Sequence, residues 1–210
     1  MTSSLRSETL FLDRPDGRLA YDDSAHDDTG RGPLVVCVPG MGDTRAEHRF
    51  LVPLLVEAGL RVVTLDLRGH GESSVDWDAY TPDAVGDDIV ALLEHLDGGP
   101  AVVLGESMAA ASAVWAAVEA PARVAGVVLC GPFVRDLPPT LASRLAPMLL
   151  RPGLWARFYR SLYKADPPAD LDEHAATRRT RLREPGRLAA LKAMMRSSKA
   201  DCEARLGDLD

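Results

Sequence analysis

Three cysteines in 210 residues are few, odd in number and without a CxxC spacing, so neither a disulfide framework nor a thiolate zinc site is expected. Cys37 and Cys130 lie in apolar runs and read as small buried side chains. Histidine is equally sparse, with 5 in the chain and no HxxxH pair. No metal site and no cofactor are expected. No stretch reaches the roughly 18 apolar residues of a membrane span, and MTSSLRSETLFLD lacks the apolar centre of a secretory signal. A cytoplasmic protein with free thiols and no membrane partner is expected. Positive charge is in deficit, at 24 Lys and Arg against 31 Asp and Glu, net −7, which excludes a general nucleic-acid binder. Hydrophobic residues at 46% and charged residues at 26% fit a globular chain long enough for one core with an inserted subdomain.

An alternation fills the first two thirds. ETLFLD (8–13) and GRLAYDD (17–23) flank the turn signal Pro15-Asp16-Gly17 and read as a hairpin. PLVVCVPG is a β-branched run suited to a strand buried on both faces. RAEHRFLVPLLVEAG places Phe50, Leu54, Leu55 and Ala58 at helical spacing and closes on Gly59. RVVTLDL is a second buried strand. TPDAVGDDIVALLEHLDGG predicts a helix with Thr81 as N-cap, Pro82 in its first turn, an apolar face of Val85, Ile89, Leu92, Leu93 and Leu96, and a stop at Gly98. AVVLG, the helix SMAAASAVWAAVEA and the strand RVAGVVLCG follow. Such βαβ units build a parallel sheet, which places ligands at the carboxyl ends of its strands.

After Gly131 the character changes. Residues 135–205 read as Pro-punctuated helices, roughly 139–150, 153–164, 170–183 and 186–199, forming a cap on a core of residues 1–134. Residues 151–200 carry +7, leaving −14 elsewhere. A basic cap docked on an acidic core explains this more economically than a funnel for anionic substrates. Leu154, Trp155, Phe158, Leu162 and Tyr163 read first as packing onto the core and second as the wall of an acyl pocket. The arginines of RRTRLREPGR (178–187) read as a solvated helix face rather than phosphate ligands.

Each strand end carries a polar signal. Pro39-Gly40-Met41-Gly42-Asp43 supplies two glycines of a dinucleotide-binding G-x-G-x-x-G, and Asp66 stands where a ribose-binding acid would. Arg45, however, occupies the slot of the third glycine, where close helix–strand packing is needed. The alternative use of such a turn is to aim backbone N–H groups into a site. His70, in Asp66-Leu67-Arg68-Gly69-His70-Gly71-Glu72-Ser73, reads as exposed or structural rather than as a base. In Gly105-Glu106-Ser107-Met108-Ala109 a strand turns sharply into a helix. The small residues Gly105 and Ala109 flank an apex whose side chain projects at a helix N-terminus, where developing negative charge is favoured. A plain serine N-cap is the alternative.

Together, VPGMGD, LDLRGHGES and GESMA resemble the oxyanion loop, the D-x-R-G-x-G-x-S segment and the G-x-S-x-G nucleophile elbow of the α/β-hydrolase superfamily. RAEHRFLVPLLVEAGLRVVTLDLRGHGES is especially similar to capped, cofactor-free hydrolases of the esterase, lipase and haloperoxidase type, and the likeness covers about residues 8–134. It implies a mostly parallel sheet with helices on both faces and a helical cap. It also implies Ser107 as nucleophile, with the backbone N–H groups of Met41 and Met108 as oxyanion hole. The family's acid and histidine follow the cap. Residues 206–210 read as the start of that core segment, and neither triad partner is found in the chain. His174 is the sole histidine after Ser107 and Asp136 the acid nearest the fourth strand end; both are substitutes at best. His26, His48 and His95 lie away from the strand ends.

A serine hydrolase of an ester or other small acyl substrate is the first reading, with this chain an incomplete and inactive part of it. A non-catalytic relative that binds a small molecule or a partner is the second. Missing core strands would leave an exposed sheet edge, which a homodimer could cover.

Overall fold

The computed structural model describes residues 8–25, 32–96 and 98–209; His26 and the leading residues read for a signal lie outside them. Six strands form one sheet: β1 (Leu10–Arg14), β2 (Gly17–Asp23), β3 (Leu34–Val38), β4 (Arg61–Leu65), β5 (Ala101–Glu106) and β6 (Val124–Cys130), in the order β1-β2-β4-β3-β5-β6. The hairpin β1–β2 adds antiparallel to β4, while β4, β3, β5 and β6 run parallel. The chain runs from β3 to β4 on one side and then to β5 on the other. The carboxyl end of β3 is therefore the switch point, where such sheets open a crevice.

Every residue of β3 is buried, because the strand is covered on both faces. Val36 and Val38 pack with Val85, Ile89 and Leu92 of α2 (Pro82–Leu96) and Ala109 and Ala113 of α3 (Ala109–Glu119). Val35 and Cys37 face Leu51, Val52 and Leu55 of α1 (Leu51–Glu57). Thr81 caps α2 through its hydroxyl, which accepts from Ala84 N–H at 3.4 Å. The left-handed residue beyond α2 is Gly99 rather than Gly98.

Two expectations fail on the covering layers. Residues 45–50 form a 3-10 turn before α1 begins. That shift rotates Phe50, Leu54 and Ala58 into solvent and turns Leu51, Val52, Leu55 and Val56 inward. Cys130 is exposed, because β6 is the last strand of the sheet and its residues 125–130 are covered only in part.

The cap comprises α4 (Leu141–Leu149), α5 (Pro152–Leu162), α6 (Leu171–Arg181) and α7 (Arg187–Arg196), and a short fifth helix, α8 (Ala200–Ala204), completes it. Residues 206–208 form a 3-10 turn. Trp155 and Tyr159 are buried, but Leu154, Phe158 and Leu162 are exposed and do not pack onto the core. Nor is the arginine segment a solvated face throughout. Arg178 is buried and pairs with Asp43 and Glu47, and Arg187 donates to the carbonyls of His70 and Ser73. Arg49 closes the same seam on Asp170 at 2.6 Å. The seam thus carries charge both ways, a cap arginine on core acids at Arg178 and a core arginine on a cap acid at Arg49. No helix among the described residues is long and apolar enough to cross a membrane.

Candidate active site

The ends of β3, β4 and β5 lie side by side and carry the three polar segments. Between β5 and α3, Ser107 adopts φ +55°, one of two described non-glycine residues with positive φ. That conformation is disfavoured for an L-residue and signals a backbone held for a purpose. Its neighbours make the bend possible. A Cβ on Gly105 would stand 2.4 Å from the Ala109 carbonyl oxygen, and Ala109 itself is fully buried. The Ser107 N–H donates to Cys130 O at 2.9 Å and its carbonyl accepts from Phe133 N–H at 3.0 Å, so β6 and the loop after it brace the apex. Ser107 is half-buried.

The turn after β3 presses against that serine; a Cβ on Gly40 would lie 3.2 Å from Ser107 Cβ. Asp43 N–H donates to Gly40 O at 3.1 Å, and Gly42 has φ +82°, the signature of a type II turn with Met41 at its first corner. Among the described residues, neither the Met41 nor the Met108 amide N–H has an acceptor. Two backbone donors on the segments next to the serine are therefore left unused.

His70 is buried and structural. Its Nδ1 donates to Arg68 O at 3.0 Å and its Nε2 accepts from Gly42 N–H at 3.0 Å, an arrangement that requires the neutral ring. Burial pushes its pKa down to about 4, with Arg187 adding to the effect and the Arg68 carbonyl opposing it. Below about 6.5 the unfolded chain binds a proton that the folded ring refuses. This stability contribution is complete above that pH and drains away as pH falls toward 4, by about 3 kcal/mol in all. Urea unfolding at pH 7.5 and 5.0 should show His70→Gln losing less stability on acidification than the parent. An equal loss in both proteins counts against the neutral buried ring.

Glu106 is a site neighbour that the sequence alone does not single out. Burial, then the charge of Glu47, push its carboxyl up to about 6 against a hydrogen bond from the Gly40 backbone. Its place beside Ser107 was visible, but the buried environment that shifts it was not.

The weaker candidates land elsewhere. His174, on α6, has Nε2 3.3 Å from Glu47 and 3.6 Å from Asp43, and no contact with Ser107 is found among the described residues. Asp136 accepts from Ser198 Oγ at 2.5 Å and Lys199 N at 3.1 Å. Burial works against its charge, yet those bonds hold its carboxyl below the usual range. It anchors the approach to α8. His48 is buried in the 3-10 turn and His95 meets the Tyr21 hydroxyl at 3.1 Å. Asp66, the ribose-acid candidate of the rival reading, is fully buried and clamped by Arg45.

The fold does assemble one trio that sequence spacing concealed. Asp43, Glu47 and His174 each bring a ligand-type atom within 4.8 Å of the others. The Arg178 guanidinium already pairs with both carboxylates, so the protein itself supplies a cation to the cluster. Cap basicity is also localised. A cleft of about 310 Å³ between α5 and α6 is lined by Arg157, Arg160 and Arg179, with Arg160 paired to Asp172 at 2.8 Å.

Comparison with known proteins gives a consistent picture. A family model described as alpha/beta hydrolase fold matches residues 33–201. A Mycobacterium tuberculosis protein provisionally named a non-heme bromoperoxidase is 40% identical over 106 residues, 50% of this chain and 40% of that protein. An epoxide hydrolase of Caballeronia sordidicola is 37% identical over 108 residues, 50% of this chain and 33% of the other. The matched stretch thus spans less than half the length of these curated relatives. Among solved structures, a thermophilic esterase from Thermogutta terrifontis superposes with a TM-score of 0.74 at 26% identity, over 97% of this chain and 77% of the esterase.

Proposed function

The chain belongs to the alpha/beta hydrolase fold family, and from that premise we propose that it is a cofactor-free serine hydrolase acting on an ester or related acyl carbon. The observation that carries this reading is Ser107 at φ +55° on the β5–α3 bend, with the Gly40–Asp43 turn against its side chain. In the proposed step Ser107 Oγ bonds to the acyl carbon, the carbonyl oxygen becomes an oxyanion between the Met41 and Met108 amides, and the alcohol leaves with a proton. His70 is engaged at both ring nitrogens, His174 faces Glu47 and Asp43, and Asp136 is bound by Ser198 and Lys199, so none of them is assigned the serine proton. No general base is therefore assigned to Ser107 among the described residues, and only the slow turnover of a weakly activated serine at an oxyanion hole is expected of this chain.

Relatives bearing epoxide hydrolase and bromoperoxidase names make the reaction class the first thing to test. The chain is expected to turn over p-nitrophenyl acetate, to leave styrene oxide unopened and to leave bromide unoxidised in the presence of peroxide. Epoxide opening at a rate matching the ester would sink the acyl reading.

A further inference from the structure

The turn that bears the Met41 amide is gripped from two sides. The core holds Gly42 N–H through His70 Nε2 at 3.0 Å. The cap holds the next peptide: Trp155 Nε1–H, on α5, donates to Gly42 O at 3.3 Å. Contact is so close that a Cβ on Gly42 would stand 2.3 Å from the indole ring. Trp155 is buried with Leu150, Leu182 and Leu191, and the Met41 side chain packs on that same cluster. Arg178 ties down the following residue, Asp43.

These bonds lie in series. The peptide whose oxygen accepts from Trp155 offers its own N–H, that of Asp43, to Gly40 O at 3.1 Å. The peptide whose oxygen is Gly40 O carries the Met41 N–H. Each bond in such a chain polarises the next, strengthening the terminal donor. We propose that Trp155 is a positioning residue of the oxyanion hole, acting from the cap through Gly42 O and the Asp43–Gly40 bond to orient and polarise the Met41 N–H. The inference rests on the serine-hydrolase reading, and it makes the cap a working part of the site rather than only its cover.

Trp155→Phe keeps a buried ring and removes the donor. In amide-resolved NMR of the 210-residue chain, Asp43 N–H, which keeps its acceptor Gly40 O, is expected to exchange faster because the Gly42 oxygen has lost the donor that polarises and holds that peptide. The Met41 amide proton should move upfield as its polarisation weakens. Amides of β3 and β5 should hold their rates, which a global loss of stability would not allow. In the ester assay the Ser107-dependent kcat should fall with KM unchanged, since the relay acts on a transition-state donor. Unmoved Met41 and Asp43 signals in Trp155→Phe overturn the proposal, and so does an unchanged Ser107-dependent kcat beside altered signals. Equal turnover by the parent and Ser107→Ala marks instead a failure of the underlying reading, while the NMR result still reports whether the relay exists.

Discussion

Ser107→Ala is expected to abolish the serine-dependent turnover of p-nitrophenyl acetate and to leave the thermal midpoint where it was, while Ser107→Gly abolishes the same turnover and raises the midpoint. The activity half follows from the hydroxyl being the only proposed nucleophile; with no base assigned to it the parent rate is already low, so the expected loss is that of the serine-dependent share alone. The stability half follows from φ +55°. A non-glycine residue in the left-handed region carries roughly 1–2 kcal/mol of strain, which alanine keeps and glycine releases. Glycine returns part of the gain because its unfolded chain is freer, by about 0.4–1 kcal/mol. The expected net is about 1 kcal/mol, or roughly 2–4 °C in Tm for a chain of this size. Activity assays and calorimetry on the three proteins decide it. A glycine variant less stable than the parent would mean that the Ser107 side chain relieves its own bend. The same backbone feature then underlies both outcomes, strain kept for a side chain that must stand clear of strand and helix.

The elbow was legible because its demands fall on adjacent residues. An apolar strand, Gly105, a serine and Ala109 leave few other local structures, and the glycine contact with the Ala109 carbonyl is the physical content of that motif. The parallel sheet was legible for a similar reason, since β3 and β4 are β-branched runs that bury both faces. The cap seam was not. Arg178, Arg181 and Arg187 share one basic segment, yet Arg178 is buried at 3% exposure and Arg181 reaches Glu184 at the surface. Helical phase alone does not say which arginine docks, because the partners, Asp43 and Glu47, lie more than a hundred residues earlier. The orientation of α1 was misread because a 3-10 turn before it advances each residue by more than the α-helical 100°, and the apolar face of residues 45–58 was phased through that turn. Gly42 offered an unused signal. In a strand-end turn a second glycine usually means positive φ or a close neighbour, and here it means both, with Trp155 as the neighbour.

Arg68→Ala should be the most damaging single truncation away from the serine. Arg68 Nε and Nη2 each donate to Asp88 at 2.8 Å, and the same guanidinium serves the carbonyls of Ala79 and Ala84 at 2.9 and 2.8 Å. Asp88 is 1% exposed, and its remaining cation, Arg14, stands at 3.3 Å from the side of the sheet. Removing one partner of a buried pair strands the other, at a cost of about 3–5 kcal/mol, or roughly 6–20 °C in Tm. The sign of the pH response identifies the cause. Burial already raises the Asp88 carboxyl, with Arg68 and Arg14 pulling it down. Without Arg68 the rise is larger, so the folded state binds a proton that the unfolded state, with an ordinary carboxyl near 4, has released. Stability of the variant must then fall as pH rises through that window, and the deficit against the parent should be smaller at pH 4.5 than at pH 7.5. Arg68→Met combined with Asp88→Leu should recover most of the loss, because an apolar pair of similar volume carries no stranded charge. Urea midpoints for the three variants at the two pH values make the test, and a deficit independent of pH would place the damage in lost packing against Trp77, 4.7 Å from the guanidinium. The consequence reaches the site. Arg68 O is the acceptor that fixes the His70 ring, and His70 in turn holds Gly42 N–H. A loosened Arg68 should therefore weaken the Met41 donor before the fold itself is lost, as faster exchange of the Gly42 amide at temperatures below the shifted midpoint.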